Sequence, residues 1–271
     1  MRSASDPCAA APAARAAAER PPHVEVRGLA MAHGERVLQE GLTFTIRRGD
    51  VFVVMGGSGS GKSTLLRHLV GLQRPRAGEV SFEGTSFWDA APDEQQALQR
   101  RFGVMYQQGA LWTSMTLVEN VALPLGTYTD LDRSTVEGVA AFKLALVGLA
   151  GFERYYPSEI SGGMRKRAAI ARAMALDPEI LFLDEPSAGL DPVSSRLLDD
   201  LILELRHSLG MTVVVVTHEL ASIFAVGDDS VFLDADARTM IAAGDPRWLL
   251  EHAENPKVRE FLTRGGQRLA A

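Results

Sequence analysis

A glycine-rich segment of this chain has the residue types and spacing needed to bind phosphate. Residues 56–63 follow an apolar run and fit the pattern G-x-x-x-x-G-K-[ST]. The predicted phosphate-binding residues are Gly56, Gly57, Ser58, Gly59, Ser60, Gly61, Lys62, Ser63 and Thr64. Glycines let backbone N–H groups surround phosphate oxygens, because no Cβ is in the way. Lys62 would add a cation at the β- and γ-phosphates, and the Ser63 hydroxyl would bind Mg²⁺.

Two acidic residues and a histidine follow later apolar runs. Asp184 and Glu185 come directly after residues 180–183, and His218 lies just beyond residues 213–216. An acid that faces a phosphate loop suits Mg²⁺, which assigns that ligand to Asp184. Glu185 would polarise a water molecule as a general base, and His218 would donate a hydrogen bond to the γ-phosphate and orient the water. The phosphate loop alone leaves GTPases, kinases and helicases open.

A second predicted anion site lies further along the chain. Ser161, Gly162 and Gly163 precede a segment of helical spacing at residues 164–176. Glycines at the start of a helix expose free N–H donors, which attract anions. Because the chain already has a phosphate loop, we expect these residues to act on a second subunit. In a head-to-tail dimer, each chain would cap the ATP held by the other.

The elements that position these residues can be predicted from hydrophobic patterning. Continuous apolar runs of strand length occur at residues 51–55, 180–183, 213–216 and 231–233. Segments with helical spacing occur at residues 63–72, 164–176 and 192–209. This alternation predicts an α/β domain with a parallel sheet. Such sheets bind ligands at the carboxyl ends of their strands, where the candidate residues lie.

Other segments predict additions to this core. Apolar and polar residues alternate around Val24 and Val26 and again at residues 42–46, which predicts an antiparallel sheet. Residues 116–158 lack a strand pattern, and residues 134–149 have helical spacing. We predict four segments along the chain. They are, in this order, a disordered tail, an ATPase domain, a helical subdomain inside that domain and a C-terminal helical extension. Their predicted limits are 1–22, 23–250, about 108–165 and 251–271.

Composition narrows the class of protein. The 271 residues carry a net charge of −6, which disfavours a nucleic-acid binder. The single cysteine, Cys8, allows no intrachain disulfide. No apolar run approaches the roughly 18 residues needed to cross a bilayer, so a membrane role would require a partner.

Over about residues 24–245 the chain resembles the ATPase subunits of ABC transporters. The motifs occur in the family order: Walker A at 56–63, the Q-loop Gln107, the signature Ser161-Gly162-Gly163, Walker B at 180–184, Glu185, the D-loop at 187–191 and the switch His218. The resemblance implies a P-loop NTPase cassette with a parallel sheet core, an N-terminal antiparallel β-subdomain and a helical insertion. It also implies ATP and Mg²⁺ as cofactors, and hydrolysis of ATP to ADP and phosphate. Gln107 would bind Mg²⁺, act in catalysis and sense the permease.

The sequence departs from the family pattern at two places. Ile160 and Met164 flank the Ser-Gly-Gly centre, where the usual family form is Leu-Ser-Gly-Gly-Gln. His33 stands where an aromatic residue usually stacks on adenine. We expect activity because the signature centre is intact, and we expect the imidazole of His33 to contact adenine.

Two short segments resemble the ATPases of Mla- and Mce-type lipid transporters. One is Gln107-Gln108-Gly109-Ala110-Leu111-Trp112, and the other is Pro157-Ser158-Glu159 with Met164 after the signature. The resemblance implies a homodimer of cassettes at the cytoplasmic face of the inner membrane, bound to a multi-pass permease and an MCE-domain substrate-binding protein, with phospholipid as cargo. Trp112 would either line a groove for the permease or pack the helical subdomain.

Two alternatives stay open at this point. One is the ATPase of another ABC importer or exporter that moves amino acids, metals or peptides. The other is a non-transport ABC ATPase, which the single cassette and the acidic net charge disfavour.

Overall fold

The computed structural model describes residues 20–263, which form two sheets and the helices packed on them. The strands are β1 (Pro22–His33), β2 (Arg36–Arg47), β3 (Val51–Gly56), β4 (Ala77–Phe82), β5 (Thr85–Ser86), β6 (Phe102–Met105), β7 (Ile180–Asp184), β8 (Thr212–Val216), β9 (Asp229–Asp234) and β10 (Thr239–Ala243). The helices are α1 (Lys62–Leu69), α2 (Pro92–Arg100), α3 (Leu117–Tyr128), α4 (Arg133–Leu146), α5 (Gly162–Ala173), α6 (Pro192–Leu209), α7 (Leu220–Val226), α8 (Pro246–His252) and α9 (Pro256–Thr263). Cys8 and nearly all of the predicted tail lie outside the described residues.

The central sheet has six strands in the order β10-β9-β3-β8-β7-β6. All of them are parallel except β10, which pairs antiparallel with β9. Strands β3, β7 and β8 are buried along their whole length, as continuous apolar runs in a parallel sheet require. This arrangement confirms the predicted α/β class and brings the carboxyl ends of these three strands to one edge.

An antiparallel sheet of four strands packs beside the core, in the order β2-β1-β4-β5. Val24 and Val26 are buried on β1, and Leu42, Phe44 and Ile46 are buried on β2, which confirms the predicted alternation. The ring of Phe44 stacks on Phe52 of β3 with 5.3 Å between centroids. The two sheets therefore share one hydrophobic cluster.

Helices α3 and α4 lie between β6 and α5 in the chain, in the stretch predicted to be a helical insertion. Thr116 caps α3 by accepting a bond from the Glu119 N–H, and Asp132 caps α4 by accepting from Ser134 and Thr135. The buried faces of both helices share a cluster with α5. The limits set for the domain and the helical subdomain stay predictions.

Within the predicted C-terminal extension, Pro256–Thr263 form α9, and the limits of the extension stay a prediction. Val258 and Leu262 are buried against Val53 and Ile223, so the helix covers its own domain. Lys257 donates to Asp234, 2.9 Å away, which ties α9 to the end of β9. None of the helices within residues 20–263 has the length and hydrophobicity required to span a bilayer.

Candidate functional site

The phosphate loop joins β3 to α1 and is held by glycines and by one lysine. Gly56 has a φ of 148°, and Gly61, which precedes α1, has a φ of 92°. The amine of Lys62 donates to the carbonyl oxygens of Gly56 and Gly57, each 3.0 Å away. Burial lowers the pKa of Lys62, while the carboxylates of Glu185 and Asp184 oppose that shift. The amine is therefore a buried cation at the place where the motif would hold phosphate.

A cleft of about 660 Å³ opens over this loop. Its lining residues are Leu38, Gly56, Gly57, Ser58, Gly59, Gly61, Lys62, Ser63, Thr64, Gln107, Glu185, His218, Leu220 and Phe261. The predicted Ser60 is buried beneath the loop, where its carbonyl oxygen accepts a bond from Gln39 at 2.8 Å. The structure thus brings the phosphate loop together with three predicted residues that are distant in sequence: Gln107, Glu185 and His218.

The pair Ser63 and Asp184 has the composition of a Mg²⁺ site. The Ser63 hydroxyl donates to Asp184 Oδ1 at 3.1 Å. Burial raises the pKa of Asp184, the bond from Ser63 lowers it, and Glu185 raises it. A divalent cation would offset this clustering of negative charge. Hydroxyl and carboxylate oxygens are the ligands that Mg²⁺ prefers, so the residues present fit the ion.

Glu185 and His218 form a second pair at the same edge. His218 Nδ1 lies 2.8 Å from Glu185 Oε1 and donates to it, because an ionised carboxylate only accepts. Glu185 Oε2 is buried and has no hydrogen-bond partner among the described residues. Its backbone has a φ of 48°, in the left-handed region, and its N–H donates to Val216 O at 2.8 Å. This oxygen therefore keeps an unused acceptor site, and a general base must accept a proton.

The predicted second anion site lies elsewhere on the chain. Ser161 is exposed and caps α5 by accepting a bond from the Met164 N–H at 3.3 Å. Gly162 and Gly163 begin the helix. None of Ser161, Gly162 and Gly163 lines the cleft. Their use by a second subunit stays a prediction.

The structure places the predicted adenine contact outside the residues that line the cleft. His33 ends β1, is exposed and faces Arg36 across the hairpin. Leu38, Leu220 and Phe261 line the cleft although no motif singled them out as site residues. Phe261 packs beside the buried Val258 and Leu262 of α9, and an apolar residue in a helix does not by its sequence distinguish a cleft wall from a core position.

Comparison with known proteins agrees with this geometry. The family described as "ABC transporter" matches residues 39–188. The chain is 41% identical over 246 residues to the "Probable ribonucleotide transport ATP-binding protein mkl" of Mycobacterium tuberculosis, covering 91% of this chain and 67% of that protein. It is 37% identical over 239 residues to the "Intermembrane phospholipid transport system ATP-binding protein MlaF" of Escherichia coli, covering 88% of each.

Solved structures with the same fold include two dimers of the cassette MJ0796. One is described as a bacterial ABC transporter cassette, with a TM-score of 0.74 and 29% identity over 82% of this chain and 98% of that one. The other is described as a post-hydrolysis state bound to ADP and Pi, with a TM-score of 0.73 and 30% identity over the same shares.

Proposed function

The chain belongs to the ABC transporter family, and we propose that it drives transport as a head-to-tail dimer that hydrolyses ATP and is coupled to a separate membrane permease. The observation that carries this proposal is the composition of one cleft. It combines the Lys62 amine with the pair of Glu185 and His218, and Ser63 in its wall is bonded to Asp184. Each of these groups matches a requirement of phosphoryl transfer to water.

The geometry supports a specific division of roles. Lys62 and the N–H groups of the loop bind the β- and γ-phosphates. Ser63, Asp184 and Gln107 would hold Mg²⁺, which would neutralise charge on the phosphate oxygens. Glu185 accepts a proton from water as the water oxygen attacks the γ-phosphorus. The bond to the bridging oxygen breaks, and ADP leaves. His218 fixes the carboxylate of Glu185 in the productive orientation through its Nδ1–H.

The dimer supplies what one chain lacks. Ser161, Gly162 and Gly163 begin a helix away from the chain's own cleft, so their N–H donors are available to the ATP of a partner. Both structures of the MJ0796 cassette, which this chain resembles, are described as dimeric. We take the same association for this chain, with each ATP between one phosphate loop and the other chain's signature.

The proposed cargo is phospholipid. Support comes from the similarity to MlaF, which is named for intermembrane phospholipid transport and matches along 88% of both chains. The proposed partners are a multi-pass permease at the cytoplasmic face of the inner membrane and an MCE-domain protein. A ribonucleotide cargo is the second candidate, because the mycobacterial relative at 41% identity carries that name.

Replacement of Glu185 by Gln tests the catalytic proposal. The amide cannot accept the water proton, so ATP turnover should fall at least about 100-fold while ATP binding is retained. The trapped protein should elute as a dimer when ATP and Mg²⁺ are added. Glu204→Gln, on the exposed face of α6, is the matched control and should hydrolyse ATP at the wild-type rate. Wild-type turnover by the Glu185 variant would show that another group is the base.

The cargo is tested by isolating the complex from native membranes through a tag on this chain. Co-purification of a multi-pass permease, an MCE-domain protein and bound phospholipid, identified by mass spectrometry, would support lipid transport. Stimulation of the reconstituted ATPase by ribonucleotides, with no response to phospholipid, would support the second candidate.

A further inference from the structure

Lys166 connects three parts of the molecule that have separate roles in the proposed mechanism. It lies on α5, three residues after Gly163 and so about one helical turn from the signature. Its amine donates to the carbonyl oxygen of Gln107 and to that of Glu185, the latter 3.2 Å away. One side chain therefore links the signature helix to the Q-loop and to the backbone of the catalytic residue Glu185.

These bonds use only backbone oxygens of the two target residues. Both residues line the cleft, and Lys166 leaves their side chains unbonded to it. The Glu185 backbone is left-handed and has its N–H bonded to Val216 of β8. The amine of Lys166 holds the carbonyl of the same residue, so β8 and α5 together fix a backbone conformation that a glutamate rarely adopts.

The same helix also holds the segment that follows Gln107. Arg172 donates to the carbonyl oxygens of Gly109 and Ala110 at 3.0 and 2.6 Å. Among the hydrogen bonds of residues 20–263, α5 therefore reaches the Q-loop segment through two side chains and Glu185 through Lys166. This difference makes Lys166 the residue to test.

We propose that Lys166 is a positioning residue that makes the hydrolytic geometry of its own chain depend on the position of its signature helix. The inference rests on the proposed function, in which that signature caps the partner's ATP. When the partner's nucleotide holds the start of α5 in place, Lys166 holds the backbone carbonyls of Gln107 and Glu185 in place. Each chain's ATP site then responds to occupancy of the other, a coupling between two distinct sites.

A lysine suits this task because its ammonium has three donors and can serve two carbonyls at once. Burial lowers the pKa of Lys166, while the nearby Glu185 and Asp184 carboxylates raise it and so favour the charged form. Methionine keeps most of the length of the side chain and removes the donors. Arginine keeps donors and charge.

The test compares Lys166→Met, Lys166→Arg and the control Arg167→Met in the full-length chain. Arg167 is the next residue on α5, but it donates to Val147 and Gly148 at the end of α4. Lys166→Met should lower kcat about ten-fold, as loss of a supporting shell does, and bring the Hill coefficient for ATP toward 1. Its affinity for a fluorescent ATP analogue should stay within about two-fold of wild type, because the phosphate loop is untouched. Lys166→Arg should restore most of kcat, and Arg167→Met should behave as wild type.

Three results would overturn the inference. They are a wild-type kcat in Lys166→Met, equal losses in the Met and Arg variants, and an equal loss in Arg167→Met. Measuring Glu185→Gln beside these variants separates this inference from the proposed function. If Glu185→Gln alone forms no ATP-dependent dimer, the proposed function fails. If it does, and Lys166→Met has wild-type kcat and Hill coefficient, only the role of Lys166 fails.

Discussion

Gly56, the last residue of β3, shows at the scale of one residue why the phosphate loop has its sequence. A Cβ at this position would lie 2.3 Å from the carbonyl oxygen of Leu233 and 2.9 Å from the Ser60 hydroxyl. The backbone conformation, with a φ of 148°, is also one that other residues rarely adopt. At the neighbouring Gly57 a Cβ would meet nothing within 4 Å. The first glycine is needed for packing, and the second leaves the backbone accessible.

We therefore predict that Gly56→Ala destabilises the protein by about 2–4 kcal/mol, because the loop must move away from β9. Gly57→Ala is the matched control and should change the free energy of unfolding by less than about 0.5 kcal/mol. Urea denaturation without nucleotide measures both. Equal stability of the two variants would contradict this account of the loop.

Single residues were predictable where they belong to a motif with fixed spacing. The phosphate loop, Gln107, Glu185 and His218 were predicted from the sequence, and the structure brings them to one cleft. Lys166 was not predicted, since its partners are 59 and 19 residues away and are backbone oxygens with no sequence signature. Phe261 was missed as a site residue because its place in the cleft depends on how α9 packs.

At the scale of elements, a buried carboxylate joins the segments that follow the two catalytic side chains. Asp199 of α6 is only 4% exposed. It accepts a bond from Ser222 of α7 at 3.0 Å, and the Ser222 hydroxyl is 3.4 Å from that of Ser187. Ser187 lies two residues after Glu185, and α7 begins two residues after His218. The network therefore fixes α6 and α7 relative to the D-loop.

This network predicts a pH-dependent stability. Burial raises the pKa of Asp199 from 3.8 to about 6; Asp200 also raises it, while Ser222 and Arg196 lower it. Because the native pKa is the higher one, the stabilising contribution is full below pH 3.8 and is lost as the pH rises through about 6. At about 1.4 kcal/mol per pKa unit, ionisation of Asp199 lowers the free energy of unfolding by about 3 kcal/mol once the pH is above about 6.

Asp199→Asn cannot ionise, so its stability relative to wild type should improve by about 1 kcal/mol between pH 5 and pH 8. Urea denaturation at the two values measures the difference. Glu204→Gln is the control, since Glu204 is exposed on the same helix and is not among the groups that shift the pKa of Asp199. A difference that is independent of pH for Asp199→Asn would mean that this carboxyl does not titrate in the native protein over this range.

Elements were predictable where the hydrophobic pattern is long or continuous. Helix α6 was predicted at residues 192–209 and is observed there, since proline follows the capping Asp191 and Gly210 ends the helix. Strand β6 was missed because its four residues include Gly103. The structure gives a reason for that glycine: a Cβ would lie 2.4 Å from the carbonyl oxygen of Ala173. A close approach between elements leaves no periodic signal.

At the scale of the whole molecule, Trp112 marks the surface where a partner would bind. Its side chain is 57% exposed. Its backbone is nevertheless fixed, because Asn120 accepts from the Trp112 N–H at 2.7 Å and donates to its carbonyl oxygen at 3.0 Å. A large aromatic side chain exposed on a rigid loop favours a partner contact over packing of the helical subdomain, the two roles considered for this residue.

We predict that Trp112→Ala reduces co-purification with the permease while ATP binding and thermal stability stay unchanged. Trp248 is 53% exposed and lies on α8, which makes Trp248→Ala a matched control. Quantitative immunoblotting of the permease after pull-down compares the two. Equal recovery of the permease with Trp112→Ala and wild type would assign Trp112 no part in assembly.

A second chain is predicted because the sequence offers two candidate anion sites, the phosphate loop and the signature, for one ATP. The partner and its cargo were not predictable from physical chemistry. The proposals for both rest on similarity to named relatives.

The unequal exposure of the tryptophans gives the molecule built-in fluorescent reporters. Trp112 and Trp248 are open to water, whereas the indole Nε1 of Trp88 is buried and its ring meets Phe87 edge-on at 5.0 Å between centroids. Trp88 is half-buried, so acrylamide should quench the emission of the first two more strongly than that of the third. In a Trp248→Phe background, loss of quenching would then signal that the permease covers Trp112, without any attached dye.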